Sequence, residues 1–327
     1  MTPHAPPVRT GAPPPNSRRA LRLGTLGSAL ALRQAAIVRD ALQRAIPSLE
    51  IDTQVIRTTG DEPSDPASDF NWSDTSDRTP GEGSFVHVIE MALLGGRIDL
   101  AVHSFKDMPS LDTDGLTIAA MPPREDPRDV LVTSGQAPLQ RLLAGARIGT
   151  GSPRRRAALL TLRPDLRVEP IRGNVDTRLR RVAEGAFDGV ILAAAGLKRL
   201  GREGEVAEYL DPEVFVPAIG QGILAVQVRR DDLETTQLVH HLEDPQTRAC
   251  ATAERAVAVT IQAGCNTPLA AHARITDGRL RLIAFLLADD GTTVARAEGV
   301  GASDEAASIG EQVARQLLTS TGFVRDR

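Results

Sequence analysis

The chain has 327 residues, of which 41% are hydrophobic and 24% charged, and its formal net charge at pH 7 is −4. This composition is typical of a folded, soluble protein, and the length predicts two or three domains. The two cysteines exclude a disulfide scaffold, and the chain has neither a metal-binding Cys/His motif nor an apolar run long enough to cross a membrane. We therefore expect neither a metal nor a membrane partner.

The first elements follow a proline-rich segment, residues 1–19, for which we predict a disordered tail. The arginine pair at 18–19 would suit an export signal, but the apolar stretch behind it is short and interrupted, so we expect a cytoplasmic location. Periodicity then predicts strands at 21–25, 51–58 and 98–104, with helices at 28–46 and 84–96 between them. This alternation indicates a parallel sheet wrapped by helices.

The middle of the chain continues the same alternation. Two strands are predicted at 115–122 and 129–134. A second α/β unit then comprises strands at 147–150, 167–172 and 188–196 and helices at 152–164 and 174–185. A strand predicted at 221–230 is expected to return to the first unit.

The last part of the chain changes character. A helix at 245–260 precedes three strands, predicted at 269–276, 279–288 and 292–300, that are separated by two Asp-Gly pairs. Asp-Gly between alternating runs is a strong hairpin signal. A final helix at 304–320 completes a small α+β unit. The expected domains are 20–122 with 222–241, then 123–221, and finally 242–327.

Positive charge is concentrated in the second unit. Between residues 147 and 181 there are ten arginines and three acidic residues, although the whole chain is acidic. Ser152-Pro153 is a typical helix start, and its free N–H groups beside Arg154 and Arg155 would form an anion site. The alternative is a solvated arginine face. A nucleic-acid partner is not expected, because no aromatic residues are interleaved with the basic ones.

A second candidate site follows the strand predicted at 98–104. Ser104, Lys106 and Asp107 occupy the turn before a proline, where a carboxylate flanked by cations would stay ionised. Such a carboxylate could stabilise positive charge on a substrate or transfer a proton. The alternative is an aspartate that only caps the turn.

Cys265 stands on a Gly-Cys-Asn-Thr-Pro bend, where neither a helix nor a central strand would run. As a nucleophile it would need a histidine nearby, and His272 is the local candidate. Cys250, in an alanine-rich helix, fits a buried apolar filler. The residues alone leave Cys265 as a thiol available for attachment, without a defined task.

Eight segments occur in the order of one protein family: AVHSFKDMP (101–109), REDPRD (124–129), GTGSPRRR (149–156), RGNVDTRL (172–179), AAAGLKRL (193–200), PAIGQG (217–222), TAERA (252–256) and AGCNTP (263–268). The chain resembles the porphobilinogen deaminases, also called hydroxymethylbilane synthases, from about Arg22 to the final helix. The resemblance implies two periplasmic-binding-protein-like, doubly wound α/β domains that face a cleft. It also implies a small C-terminal α+β domain with a three-stranded antiparallel sheet.

The resemblance further implies a monomeric enzyme with a cofactor. In the family, the cysteine matched by Cys265 carries a covalent dipyrromethane primer. Four porphobilinogens are added to it with loss of ammonia, and water then releases hydroxymethylbilane. Asp107 matches the catalytic aspartate, which stabilises the azafulvene cation formed when ammonia leaves. The residues implied to bind the cofactor are Cys265, Ser104, Lys106, Asp107, Ser152, Arg154 and Arg155, and those implied to bind substrate are Ser28, Thr150, Arg172, Gly173, Asn174, Arg178, Arg199 and Gln221.

The chain departs from the family pattern at four places. Leu26 replaces an arginine expected to contact carboxylates, His87 replaces a lysine, and Gly151 replaces a serine or threonine. Residues 61–82 carry seven acidic residues and one arginine, where the family has a shorter, basic flap. An active enzyme is the favoured hypothesis. The departures keep two alternatives open, a divergent paralogue with weak turnover and a non-enzymatic protein that binds small anions in the same cleft.

Overall fold

A computed structural model describes residues 20–56, 83–264, 267–292 and 294–321. Three of the predictions above concern residues outside these ranges, namely the proline-rich tail, the acidic segment 61–82 and Cys265. Within the described ranges the chain forms three sheets, two of five strands and one of three. No helix in these ranges combines the length and the hydropathy of a membrane span.

The first sheet belongs to the first α/β domain. Its elements are β1 (Leu21–Thr25), α1 (Ala29–Ala45), β2 (Ile51–Val55), α2 (Gly83–Leu94), β3 (Leu100–Ser104), β4 (Leu116–Ala120) and, from later in the chain, β10 (Leu224–Arg229). The strand order is β2-β1-β3-β10-β4. Side chains from both faces of β1, β3 and β10 are buried, as expected for strands covered by helices on both sides.

The return of β10 to the first sheet is confirmed, and so is the parallel arrangement of the first three strands, but the sheet as a whole is mixed. Strands β1, β2 and β3 are parallel, whereas β10 pairs antiparallel with both β3 and β4. The reason is the path of the chain. Strand β10 enters from the second domain and therefore runs against its neighbours.

The second sheet repeats this arrangement. Its elements are β5 (Asp129–Thr133), β6 (Arg147–Gly149), α3 (Pro153–Leu162), β7 (Arg167–Glu169), α4 (Val175–Ala183), β8 (Gly189–Ala193), α5 (Ala194–Leu200) and β9 (Glu208–Tyr209), with strand order β7-β6-β8-β5-β9. The strand predicted at 188–196 ends at Ala193, where the alanine-rich segment turns directly into α5. The two doubly wound α/β domains confirm the predicted fold class.

The third unit is a three-stranded antiparallel sheet covered by two helices. Its elements are α7 (Pro245–Ile261), β11 (Leu269–Thr276), β12 (Arg279–Leu287), β13 (Val294–Ala302) and α8 (Ala306–Thr321), preceded by the short helix α6 (Leu233–Val239). Alanine, leucine and valine side chains of α7, α8 and the sheet form one core. The hairpin predicted at Asp277-Gly278 is confirmed, with positive φ at both residues. The residue boundaries proposed for the three domains remain predictions.

Two connections join the α/β domains, and both meet the third unit at one buried ion pair. Arg124 Nη1 lies 2.6 Å from Glu254 Oε1, and its Nε donates to the carbonyl oxygen of Gln221. The backbone N–H groups of Gly220 and Ala273 also donate to the Glu254 carboxylate, each at 2.7 Å. We call these five residues the three-domain joint. Burial alone would raise the pKa of Glu254, but Arg124 and His272 hold it below its usual range.

A second contact fixes the third unit to the second domain. The turn after β12 lies against helix α3, where Thr161 Oγ1 donates to the carbonyl oxygen of Gly291 at 3.0 Å and Arg156 donates to that of Asp289. A Cβ atom at Gly291 would stand 2.7 Å from the Thr161 backbone nitrogen and 2.8 Å from the Ala157 carbonyl oxygen. This contact therefore has no room for a side chain at residue 291.

Gly291→Ala is expected to lower the free energy of unfolding by about 1–3 kcal/mol more than Gly278→Ala does, measured by urea denaturation. Both glycines follow an aspartate and have φ near +75°. They therefore share the cost of placing alanine in a left-handed conformation. A Cβ at Gly278 meets nothing within 4 Å, so the difference isolates the contact with α3. Equal losses in the two variants would contradict this interpretation.

Candidate active site

The segment after β3 forms a single 3₁₀ turn, Phe105–Asp107. Phe105 is buried, and its backbone N–H donates to the carbonyl oxygen of Ile223 at 3.0 Å, which anchors the turn beside β10. Lys106 and Asp107 are exposed at the carboxyl end of the strand. Ligands bind at this edge in open α/β sheets, so the turn presents both charges where a ligand would lie.

Hydroxyl groups at helix starts border the turn in the first domain. Ser28 is the N-cap of α1, and its Oγ accepts from the Ala31 N–H at 3.3 Å. The Oγ of Ser104 accepts from Nε2 of the buried Gln34 at 2.8 Å. Because each oxygen accepts a bond from the protein, its own proton can be donated to an anionic ligand.

The corresponding helix start in the second domain is the predicted anion site. Ser152 caps α3 by accepting from the Arg155 N–H, and Pro153 occupies the first turn, as predicted. Thr150 is fully buried, and its Oγ1 accepts from the Ser152 N–H at 3.1 Å. The N-terminal N–H groups of α3, together with the helix dipole, favour a carboxylate here.

Arg154 and Arg155 have a different environment from the one predicted. Both are buried, and their guanidinium groups lie 2.7 and 2.8 Å from the two carboxylate oxygens of Asp129, which is fully buried at the start of β5. Burial alone would raise the pKa of Asp129, but the two arginines hold it below its usual range. Much of their charge is therefore committed to an internal pair, and a direct contact with ligand carboxylates remains a prediction for both.

Gln221 connects the two domains at this pair. Its Nε2 donates to Asp129 Oδ1 at 3.0 Å, and its Oε1 accepts from Arg155 Nη2 at 3.4 Å and from Lys106 Nζ at 3.5 Å. Gln221 is fully buried and makes these bonds within the protein, and its contact with substrate remains a prediction. The 3₁₀ turn of the first domain and the start of α3 in the second therefore lie next to each other.

Lys106 stands between unlike charges. Its side chain is exposed as a whole, but the ammonium group reaches the buried Gln221 amide, and desolvation lowers its pKa. Asp107 and Asp129 favour the charged form, while Arg155 opposes it. A ligand carboxylate beside Lys106 would act in the same direction as Asp107 and Asp129 and stabilise the ammonium ion.

The remaining predicted residues of the second domain lie at the start of α4 and at the end of α5. Asn174 caps α4, Arg178 Nε donates to the carbonyl oxygen of Gly173 at 2.8 Å, and Arg172 is exposed beside them. Arg199, at the end of α5, donates to the Gly222 carbonyl oxygen at 2.7 Å, and burial lowers its pKa to about 10. Contact of these residues with substrate remains a prediction.

The departures from the family pattern are accommodated locally. Leu26 is half-buried and packs against apolar residues of α2 and β3, so its side chain joins the core. His87 is exposed on α2. A Cβ at Gly151 would lie 3.2 Å from the carbonyl oxygen of Ile171, a close but not prohibitive contact. None of these three positions disturbs the turn that carries Asp107.

Of the two cysteines, only Cys250 lies within the described ranges. Cys250 is buried on α7, and burial raises the pKa of its thiol to about 12, which confirms its interpretation as an apolar filler. Cys265 follows the end of α7 by four residues and lies outside the described ranges. His272, considered above as its activating base, is buried on β11 with Nδ1 3.6 Å from Glu254 Oε1, so it belongs to the surroundings of the three-domain joint.

Two facing α/β domains with cationic and hydroxyl groups at their carboxyl edges, and an exposed carboxylate beside them, define a protein that binds acidic small molecules next to a reactive acid. Matches to protein-family models identify the family within this class. Residues 21–237 match "Porphobilinogen deaminase, dipyromethane cofactor binding domain", and residues 248–319 match "Porphobilinogen deaminase, C-terminal domain". The chain belongs to the porphobilinogen deaminase family.

Curated relatives agree with the family models over nearly the whole chain. The porphobilinogen deaminase of Syntrophobacter fumaroxidans is 44% identical over 303 residues, covering 92% of this chain and 95% of its own. Those of Roseiflexus castenholzii and Sorangium cellulosum are each 44% identical, covering 93% and 91% of this chain and 98% of their own.

Solved structures resemble the chain more distantly. A Salmonella typhimurium periplasmic binding protein with high arginine specificity is 15% identical, covers 70% of this chain and 94% of its own, and gives a TM-score of 0.40. The periplasmic VFT2 domain of Bordetella pertussis BvgS is 16% identical, with coverages of 68% and 86% and a TM-score of 0.39. Scores this low support no functional argument.

Proposed function

We propose that this chain is a transferase, hydroxymethylbilane synthase, that joins four porphobilinogens with release of ammonia and yields hydroxymethylbilane. The observation that carries the proposal is the adjacency of two groups. The exposed Lys106-Asp107 turn lies next to the N-terminus of α3, with Gln221 bridging Lys106 and Arg155. One group can stabilise positive charge and the other can bind negative charge, which are the two requirements of this reaction.

Asp107 would act on the charge that develops when ammonia leaves. Departure of ammonia from the aminomethyl group of porphobilinogen leaves positive charge spread over the pyrrole ring and its N–H. A carboxylate facing that N–H stabilises the cation, and it can accept the proton that the acceptor pyrrole carbon loses after the new carbon–carbon bond forms. The exposed position of Asp107 at the carboxyl edge suits both roles.

The donor groups around Asp107 fit the acetate and propionate side chains of pyrroles. We propose that the hydroxyls of Ser104 and Ser152, the ammonium group of Lys106 and the α3 N-terminus hold the dipyrromethane cofactor. Arg154 and Arg155 would contribute mainly through their field, because Asp129 binds both guanidinium groups. The substrate side chains would be held by the remaining predicted residues, Ser28, Thr150, Arg172, Gly173, Asn174, Arg178 and Arg199.

Cys265 is the proposed attachment point of the dipyrromethane. When bound, this group supplies the pyrrole carbon to which the first substrate is joined. The protein's part is to supply a reactive thiolate and to keep the other thiol from competing with it. Burial and a pKa of about 12 leave Cys250 protonated and unreactive at neutral pH.

The intact mass of the purified protein tests this assignment. We expect an adduct the size of two pyrrole units in the wild type and in Cys250→Ser, and its absence in Cys265→Ser. An adduct that persists in Cys265→Ser would place the anchor elsewhere. An unmodified wild-type mass, even after porphobilinogen is supplied, would overturn the proposed function in favour of a protein that only binds small anions. A monomeric state and a cytoplasmic location remain predictions.

A further inference from the structure

Arg255 reaches from the third unit to the segment on both sides of Asp107. This residue lies on α7, and its Nε donates to the Ser110 carbonyl oxygen at 2.8 Å, while its Nη2 donates to that of Pro109. Its Nη1 lies 3.1 Å from Asp112 Oδ1. The guanidinium carbon also stands 5.1 Å from the centre of the Phe105 ring, within the range of a cation–π contact.

These contacts bracket the reactive turn. Phe105 begins the 3₁₀ turn that ends at Asp107, and Pro109 and Ser110 follow it directly. A single planar guanidinium group therefore restrains the chain before and after the carboxylate. Two N–H donors of one planar group bind two successive carbonyl oxygens and so fix the direction of the backbone as well as its distance, which a lysine ammonium ion does not do.

A cavity open to solvent lies on this side of the turn. It has a volume of about 220 Å³, lies between α7 and the first domain, and is lined by Phe105, Thr117, Met121, Arg248 and Arg255 among others. The hydrogen bonds of Arg255 and its ion pair with Asp112 join the two sides of this cavity. Burial lowers the pKa of Arg255 and Asp112 opposes that shift, so the guanidinium group remains a charged donor.

We propose that Arg255 is a positioning residue that holds the Asp107 turn in register with α7, the helix that leads to Cys265. The inference rests on the proposed function in one respect, the role of Asp107 as the reacting carboxylate. Helix α7 ends at Ile261, four residues before Cys265. Helix α7 therefore contacts the segment that carries Asp107 and also precedes Cys265 in the chain.

Steady-state kinetics of porphobilinogen consumption test the proposal on Arg255→Ala and Arg255→Lys. Small misplacements of reacting groups can cost about 100-fold in rate, so we expect kcat of Arg255→Ala to fall about 10- to 100-fold with KM within about twofold. Arg255→Lys should recover only part of this loss. The dipyrromethane adduct and the thermal midpoint should be retained.

Arg248→Ala is the matched control. Arg248 lies two turns earlier on α7 and lines the same cavity, but its guanidinium group bonds Glu243 and the Ile118 carbonyl oxygen. We expect normal kcat for this variant. Normal kcat in Arg255→Ala, or equal losses in both variants, would overturn the proposal. If Arg255→Ala fails to fold, Asp112→Ala replaces it, because Asp112 is exposed and only orients the guanidinium group; an unchanged kcat there would be equally contrary.

Hydrogen–deuterium exchange separates this proposal from the proposed function. Peptides covering 105–112 should exchange faster in Arg255→Ala than in the wild type or in Arg248→Ala, whether or not the enzyme turns over. If the wild type does not turn over porphobilinogen but Arg255→Ala still exchanges faster than the wild type, the proposed function alone is refuted. Unchanged exchange in Arg255→Ala would refute the positioning role alone.

Discussion

Asp107→Asn is expected to reduce porphobilinogen consumption by at least about 100-fold while leaving the fold unchanged. The amide has nearly the same shape as the carboxylate but carries no charge, so it neither stabilises a cationic pyrrole nor accepts a proton. General-base and electrostatic contributions are each worth about 100- to 1,000-fold. Steady-state rates of ammonia release from porphobilinogen provide the measurement.

Asp114→Asn is the control for this prediction. Asp114 is an exposed acid in the loop that follows the same turn, and its substitution removes the same charge from the same domain. We expect a near-normal rate for Asp114→Asn and the same urea midpoint for both variants, because neither carboxylate is buried. A near-normal rate for Asp107→Asn would show that another group carries the charge stabilisation.

Asp129→Asn is expected to lower the free energy of unfolding by about 3–5 kcal/mol. Asp129 is fully buried between the guanidinium groups of Arg154 and Arg155, at 2.7 and 2.8 Å, and also accepts from Gln221. Removing its charge leaves two buried cations without compensation, which is the costly way to break an internal ion pair. Urea denaturation at pH 7 measures the loss.

Asp165→Asn is the control, because Asp165 forms an ion pair with Arg163 at 2.7 Å on the surface. Exposed pairs contribute about 0–1 kcal/mol, so this variant should unfold close to the wild type. A loss for Asp129→Asn no larger than that for Asp165→Asn would mean that the guanidinium groups find other partners or water.

The pH dependence of the Asp129 effect has a definite sign. Its pKa is lowered in the folded state, so the unfolded state binds more protons as the pH falls. The stabilisation is therefore complete above the ordinary aspartate pKa of about 4 and is lost as the pH falls below it. The difference between wild type and Asp129→Asn should be constant from pH 6 to 8 and shrink below about pH 4. A difference that grows on acidification would contradict the assignment.

The sequence predicted best those features that depend on neighbouring residues. Ser28 and Ser152 cap their helices as their positions before helix-forming runs indicated, and Asp277-Gly278 forms its hairpin turn. The end of β8 was harder to predict from the sequence, because an alanine-rich run suits either a buried strand or a helix. The direction of β10 depends on the path between domains, which no local pattern records.

The candidate site shows the same division. Ser104, Lys106 and Asp107 were identified from their place after a strand, and they do lie at its carboxyl end. The Asp129 pair was not, since it requires β5 to lie beside α3 across the sheet, and the order β8-β5-β9 follows from the fold alone. One signal was available, because Asp129 opens a strand whose next three residues are apolar. Such a carboxylate needs a buried cation.

The three-domain joint limits how this enzyme can be divided. Deleting the third unit at residue 242 would remove Glu254, and with it the partner of Arg124 and of the Gly220 N–H. An unpaired guanidinium group would then stand where the two connections between the α/β domains run. A protein truncated in this way would therefore be destabilised at the connections between its α/β domains. The C-terminal unit is thus an integral part of the scaffold and not a detachable carrier for the cofactor.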